Sequence, residues 1–247
     1  MTDQAATDPA TNSPAASSPP ARGAARRGPV SGRILIEALT EQFRTPQRVV
    51  DLGGGTGQVA ANLVQQGHRV IVVDPSPDAL AATLRRAREN GFDDRLTAVQ
   101  GDTSDLAKVV EPGSVDVVLC HLVLDRVDEL AAALPAIDQV LAPGGRVSFV
   151  IAQRYPRLLK LALAGKLTAA RELVDDGTLL DRSALLDQLA ATGFTVLREQ
   201  GIGVLSDHLP ESASQGQQDE LVALETRMGS DPAWLETATR LHVLAQR

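Results

Sequence analysis

The sequence predicts an α/β fold built on a mostly parallel, doubly wound sheet, and three observations lead there. Short apolar runs of strand length alternate with segments of helical periodicity as far as Ala152. The first of those runs ends in a carboxylate and a glycine turn, VVDLGGGTG. The second, VIVVDPS, ends in another carboxylate, Asp74.

The elements follow in order. Ser31 to Phe43 carries apolar residues at helical spacing through Ile34, Leu35, Ala38 and Leu39. Pro46 separates it from the first strand, Arg48 to Leu52, and GGGTG then leads into a helix over Gln58 to Gln66. A second strand, His68 to Val73, closes on Asp74, and Pro75-Ser76-Pro77 starts a helix running from about Asp78 to Glu89. Leu96 to Gln100 and Val115 to Cys120 read as the third and fourth strands, with a helix over Glu129 to Leu141. Pro143-Gly144-Gly145 turns the chain into a fifth strand, Arg146 to Ala152. Such alternation calls for a parallel sheet with helices on both faces, a single Rossmann-like layer architecture.

Past Tyr155 the pattern changes. Arg157 to Ala164 and Leu167 to Val174 read as helices over the carboxyl end of the sheet, and Arg182 to Ala191 as another, closed by Gly193. Phe194 to Glu199 and Leu241 to Ala245 complete a seven-stranded sheet. Between them lie a helix over Gln218 to Met228 and a short one beginning at Pro232. Glu220, Glu225 and Arg227 are expected on the exposed side of the former, with Leu221, Leu224 and Met228 toward the core. Nothing requires a second independently folding unit, so residues 29–247 are expected to form one domain with a helical cap inserted at 154–182. Residues 1–28, rich in Ala, Pro, Ser and Thr, are expected to be a disordered leader.

Composition narrows the function. A chain of 247 residues, 43% hydrophobic but only 2% aromatic, can bury one substantial core of Leu, Val, Ile and Ala. A formal charge of −7 argues against a broad nucleic-acid-binding surface, though not against a local basic pocket. Cys120 is the single cysteine, which rules out an intrachain disulfide and fits a reducing cytoplasm. No apolar run has the length of a membrane span, and no Cys, His and carboxylate cluster has metal-ligand spacing. Neither a membrane nor a metal is expected.

The chemistry-bearing motif is D-x-G-x-G-x-G, Asp51 to Gly57. Gly53, Gly54, Gly55 and Gly57 let the backbone approach a ligand and adopt torsions that a side chain would penalise. Taken alone, that turn suits NAD or another nucleotide equally well. Asp74 at the next strand end can accept from the two ribose hydroxyls of a nucleoside. Asp51 can face a cationic amino group, and a carboxylate placed there disfavours a pyrophosphate.

The segments DLGGGTG, VVDPS, QGDTSDL, VDVVLCHLVLDRV and LAPGGR, spanning most of Arg48 to Ala152, resemble class I S-adenosylmethionine-dependent methyltransferases. The resemblance implies S-adenosyl-L-methionine as cofactor. It puts Gly53, Gly54, Gly55 and Gly57 along the methionine side, Asp74 on ribose, and Asp102 or the backbone of Thr103 and Ser104 at the adenine edge. GPVSGRI, CHLVLDRV, GIGVLSDHL and ELVALETRMGSDPAWLETATRLHVLAQR extend the likeness over almost the whole chain after Gly28. Over that length it is similar to bacterial tRNA 5-carboxymethoxyuridine (uridine-5-oxyacetic acid) carboxyl methyltransferases. That likeness implies tRNA modification, with Thr103 and Ser104 on adenosine and His121 beside cofactor or substrate. The sequence departs from the family at Leu35, where a cofactor-contacting arginine is usual, with Arg33 two positions earlier. It departs again at Gly201-Ile202-Gly203, which lacks a substrate-side arginine, and in the cap, where Arg154, Arg157, Lys160, Lys166 and Arg171 form a thin basic rim.

Methyl transfer is an in-line attack on an activated carbon, so alignment and electrostatics supply most of the catalysis. His121 is the expected positioning group, or a base for a hydroxylated acceptor. Arg33, Arg154, Tyr155, Asp207 and His208 are the substrate-side candidates. Cys120 is expected to pack within its strand, Asp125 and Asp128 to sit at a helix entry or the surface, and Trp234 to pack. The expected activity is methylation of a carboxylate or oxygen on a modified tRNA wobble uridine. Two alternatives are a small-molecule O-methyltransferase acting on a small anionic acceptor, and a cofactor-binding regulatory protein without turnover.

Overall fold

The computed structural model describes residues 30–209 and 216–247; the leader expected over 1–28 lies outside them. Seven strands, β1 (Arg48–Leu52), β2 (Arg69–Asp74), β3 (Leu96–Gln100), β4 (Val115–His121), β5 (Leu141–Ala152), β6 (Thr195–Ile202) and β7 (Arg240–Gln246), form one sheet in the order β3-β2-β1-β4-β5-β7-β6. The first five are parallel, and β7 runs antiparallel between β5 and β6. The strand order reverses between β1 and β4, so a crevice opens where their carboxyl ends diverge.

Helices cover both faces. On one side α5 (Val127–Val140) and α8 (Arg182–Ala191) bury Leu130, Leu134, Ile137, Leu185 and Leu189 against Val118, Phe149 and Ile151. On the other, α1 (Val30–Gln42), α2 (Gln58–Gln65) and α3 (Pro77–Asn90) pack Leu39, Leu63 and Leu80 against Val49, Val72 and Leu119. Each such fully buried aliphatic side chain contributes roughly 1.5–3 kcal/mol. Helix α3 starts where the sequence marks it: the Ser76 hydroxyl accepts from Ala79 N at 3.3 Å, and Pro77 lacks the N–H that would go unpaired.

A short helix, α4 (Leu106–Val109), was not foreseen. The turn expected at Pro143-Gly144-Gly145 lies inside β5. Leu141 already pairs with Val115, the next pair is Val117 with Arg146, and the extra residues bulge out with Gly144 at φ 73°. The cap region holds α6 (Arg154–Leu163) and α7 (Leu167–Asp175), with Pro156 in the first turn of α6.

The last helix, α9 (Gln218–Gly229), is rotated from the expected setting. It buries Leu221, Val222, Glu225 and Gly229, whereas Leu224 is 47% exposed. The reason is a close helix–strand approach: a Cβ at Gly229 would collide with the Gly201 carbonyl, so the glycine face must meet β6. Glu225 turns inward with that face, is fully buried, and accepts from Val204 N (3.0 Å), Leu205 N (2.7 Å) and Ser206 N. Nor does Trp234 pack as expected. The 3-10 turn Pro232–Thr237 buries Leu235 and leaves Trp234 41% exposed.

Glu225 is thus the anchor of the segment after β6. Replacing it by Gln sets an amide N–H₂ against a buried backbone donor, so Glu225→Gln should lose on the order of 2–3 kcal/mol of stability. Urea unfolding would measure the loss, and hydrogen exchange at Val204 to Ser206 should quicken with it. Wild-type protection at those amides would show that the carboxylate does not hold the segment.

Candidate functional site

The crevice is built by the chain leaving β1. Asp51 is the penultimate residue of that strand, and its side chain lies on the α1–α3 face with only 3% of the residue exposed. A Cβ at Gly54 would stand 2.6 Å from Asp51 Oδ2 and 3.0 Å from Val72, so only glycine leaves room for this carboxylate. Gly57 ends the turn at φ 71° and caps α2.

Asp74, at the end of β2, holds that turn in place. Its Oδ2 accepts from Gly55 N at 2.9 Å and its Oδ1 from Ser76 N at 2.9 Å. Thr83 Oγ1 donates to Gly55 O (2.9 Å) and Arg86 Nε to Thr56 O (3.1 Å), which ties the turn to α3. Each Asp74 oxygen keeps a further lone pair for a ligand hydroxyl.

Asp51 Oδ2 is buried and has no hydrogen-bond partner in the protein. Burial, and secondarily the Asp74 carboxylate, push the Asp51 pKa up to about 7. An uncompensated carboxylate oxygen beside a glycine cradle fits a ligand with a cationic end. The residues present therefore suit the ammonium and sulfonium charges of S-adenosylmethionine.

Asp102, Thr103 and Ser104 form the turn after β3. Asp102 Oδ1 accepts from Ser104 N and Ser104 Oγ, both at 2.7 Å, and from Asp105 N at 3.2 Å. The Ser104 hydroxyl is therefore engaged within the turn, and its bond is the main reason the Asp102 carboxyl is held below the usual range.

His121 ends β4, one residue past Cys120, which pairs with Leu52 at the end of β1. Its Nε2 lies 2.9 Å from Ser148 Oγ on β5, and the same Oγ lies 2.9 Å from His242 Nε2 on β7. Both Nδ1 atoms are buried without protein partners. Burial, and secondarily His242, pull the His121 pKa down to about 3; burial and then Arg198 pull His242 down to about 4. The chain leaves His121 through Leu122, the only described non-glycine residue at positive φ (57°), which is 52% exposed. Cys120 is buried and its thiol is pushed up to about 12, chiefly by burial and then by Asp51, which removes it as a nucleophile at ordinary pH.

Three of the five substrate-side candidates are committed elsewhere. Arg33 is buried and pairs with Asp219 on α9 at 2.9 Å. Arg154 pairs with Asp181 (2.9 Å) and donates to Asp176 O, joining the start of α6 to the cap of α8. Asp207 accepts from Thr239 Oγ1 (2.6 Å) and Arg240 (2.9 Å). Tyr155, beside the Arg154 guanidinium, and His208 remain exposed. Ser148 and His242, buried behind His121, are partners of it that the sequence reading missed. Both lie inside strands, and only the pairing of β5 with β4 and β7 places them beside His121.

Residues 50–149 match the family model of a methyltransferase domain. The chain is 28% identical over 222 residues to the tRNA 5-carboxymethoxyuridine methyltransferase of Escherichia coli (strain K12), covering 86% of this chain and 85% of that one. It is 30% identical over 119 residues to the ubiquinone biosynthesis O-methyltransferase of Sodalis glossinidius, 48% of this chain and 47% of the other. Among solved structures, an S-adenosylmethionine-dependent methyltransferase from Mesorhizobium loti aligns with TM-score 0.58 and 17% identity over 88% of this chain and 98% of its own.

The buried groups make a signed pH prediction. His121 and His242 have folded pKa values below 6.5, so their contribution is present at neutral pH and lost as pH falls from about 6.5. Asp51 is raised from 3.8 to about 7, so its contribution is lost as pH rises through 7 and opposes theirs in between. The two histidines outnumber Asp51, so from these three groups the unfolded chain binds more protons between pH 4 and 6.5, and stability falls as pH drops through that range. Asp51→Asn removes the opposing part, so denaturant titrations at pH 7 and pH 5 should show a steeper acid loss than in wild type. Equal slopes would mean that Asp51 is ionised in the fold.

Proposed function

We propose that this chain works as a class I S-adenosylmethionine-dependent methyltransferase that methylates a carboxylate or oxygen on a modified wobble uridine of tRNA. The observation that carries the acceptor chemistry is the setting of His121, part-buried, held at Nε2 by Ser148 and with its pKa pulled down by burial, which makes it a poor base for ionising an alcohol. An acceptor that arrives ionised, as a carboxylate does, needs only a positioned donor. The tRNA part of the reading is supported by the likeness to the Escherichia coli enzyme over 86% of this chain. The same reading treats residues 29–247 as one catalytic domain with 154–182 as its cap, working in the cytoplasm. Among the described residues no helix is long and apolar enough to cross a membrane.

S-adenosylmethionine, when bound, supplies a methyl carbon activated by its sulfonium. In this reading Asp51 faces the ammonium end, and Gly53, Gly54, Gly55 and Gly57 admit the ligand close to the backbone. Asp74 keeps the turn in shape and offers its remaining lone pairs to the ribose. Asp102, Thr103 and Ser104 border the adenine, with Asp102 Oδ2 as the carboxylate oxygen not engaged in the turn. His121 orients the acceptor oxygen, while Leu122 and the exposed Tyr155 and His208 border its entry. Methylation is then a matter of alignment and water exclusion.

A second reading, a small-molecule O-methyltransferase, is favoured by one observation. Arg33 and Arg154 are neutralised internally, in a chain of formal charge −7. Purified protein given methyl-labelled cofactor should transfer label to total tRNA from cells lacking the enzyme, and mild alkali should release it as expected of an ester. Label confined to small molecules of a metabolite extract would overturn the tRNA reading; alkali-stable label in tRNA would overturn the carboxylate.

Proton linkage tests the cofactor end separately. With its pKa at about 7, Asp51 is largely protonated at pH 6, and a neighbouring ammonium favours its ionised form. Ligand affinity should therefore rise with pH by up to roughly tenfold per unit below pH 7. Calorimetry with S-adenosylhomocysteine at pH 6 should give enthalpies that differ between phosphate and Bis-Tris buffers by up to one proton's ionisation, and Asp51→Asn should abolish the difference. Identical wild-type enthalpies would remove Asp51 from the ammonium.

A further inference from the structure

The polar string behind His121 has no place in the mechanism so far. It crosses three strands. His121 on β4 and His242 on β7 are both in register with Val150 on β5, and both rings lean back to Ser148, two residues earlier on the same face of the sheet. The two Nε2 to Oγ separations are 2.9 Å each, and the ring centroids lie 6.4 Å apart with the planes at 86°. Ser148 and His242 are fully buried, so no solvent arrangement relaxes the proton count.

That count is restrictive. A serine hydroxyl has one proton to donate, and a neutral imidazole carries one N–H. Were both rings protonated at Nε2, both would donate to Oγ and the buried hydroxyl proton would have no acceptor. Were both bare at Nε2, one lone pair would face the lone pairs of Oγ. Only the mixed arrangement gives the hydroxyl proton an acceptor without opposing lone pairs: one ring donates from Nε2, and the hydroxyl donates to the Nε2 of the other, while the two Nδ1 atoms stay without protein partners. The remaining proton then sits at Nδ1 on the ring that accepts.

We propose that Ser148 and His242 are positioning residues for His121, holding the two imidazoles in opposite tautomers so that His121 shows an acceptor oxygen a defined Nδ1. This rests on the reading that His121 faces the acceptor. An ionised carboxylate requires Nδ1–H there. The Ser148 hydroxyl then donates to His121 Nε2, and His242 donates its Nε2–H to Ser148. The proton count of the string is the same in both settings: exchanging the tautomers takes a proton off one Nδ1, puts one on the other and shifts the Nε2 and hydroxyl protons between them. Without Ser148 the ring of His121 loses the partner that fixes both its tautomer and its tilt.

The chain has four histidines, which makes the test direct. The full chain labelled with ¹⁵N-histidine is recorded by two-bond ¹H–¹⁵N correlation at pH 7, with each ring assigned by single substitution. His68, whose Nδ1 accepts from Gln47 N at 3.1 Å, is the internal Nε2–H standard. One of His121 and His242 should show the Nδ1–H pattern and the other the Nε2–H pattern. Ser148→Ala should convert His121 to a tautomer average, and Ser148→Thr should restore the wild-type pattern. With under-methylated total tRNA as acceptor, Ser148→Ala should lower kcat on the order of tenfold or more while S-adenosylhomocysteine binds unchanged. The same tautomer in both rings, or a His121 pattern indifferent to Ser148→Ala, would overturn the proposal. The wild-type spectrum decides the pairing even if a variant fails to fold. Opposite tautomers without turnover on tRNA would leave the string standing and refute the acceptor instead.

Discussion

Asp51 is the constraint around which the crevice is organised. A carboxylate with an unpartnered, buried oxygen is costly, and a chain selected for stability alone would not keep it. Its neighbours accommodate rather than neutralise it. Gly54 gives up a side chain to make room, and Asp74, whose hydrogen bonds hold the turn, adds a like charge that further disfavours the ionised form. Among the described residues no lysine or arginine pairs with Asp51. The fold therefore holds a position whose electrostatics are completed only from outside, and the parallel sheet sets it where β1 and β4 part.

How far the sequence was legible follows from the range of the interactions involved. Strands β1 and β3 and helix α8 lie within the bounds expected for them, since alternation, turn chemistry and the Asp181 cap are local signals. The bulge in β5 was misread as a turn because Pro143-Gly144-Gly145 is locally identical in either role; only the pairing of Leu141 with Val115 distinguishes them. The rotation of α9 was illegible for the same reason. Its apolar residues fit two helix faces, and the choice was made by Gly229 seated on Gly201, twenty-eight positions earlier in the chain.

The candidate site divides along the same line. Asp51, the glycines and Asp74 are contiguous turn chemistry and could be read directly, although the loop-holding bonds of Asp74 could not. The substrate-side arginines and Asp207 were chosen for charge and position, and distant partners took them: Arg33 by Asp219, Arg154 by Asp181, Asp207 by Arg240. Ion pairs between far-separated residues leave no periodicity behind. Ser148 and His242 are the converse case, polar residues inside apolar strands whose meaning appears once β7 lies antiparallel against β5.

The electrostatic asymmetry between the two sides of the crevice limits the chemistry available there. On the β1 side a buried carboxylate favours a cation; on the β4 side buried imidazoles resist becoming cations. With His121 at the acceptor, as proposed, a hydroxyl would have to lose its proton to it, and the imidazolium so formed would sit in a pocket that already penalises that charge. The string offers no escape for the proton, because His242 at its far end is penalised in the same way. A carboxylate acceptor asks for none of this. It brings its own negative charge toward the sulfonium, needs a hydrogen-bond donor rather than a base, and is made more reactive as water is excluded. The same weak basicity that disqualifies His121 as a general base keeps it neutral, and so able to hold one fixed tautomer while an anion sits against it.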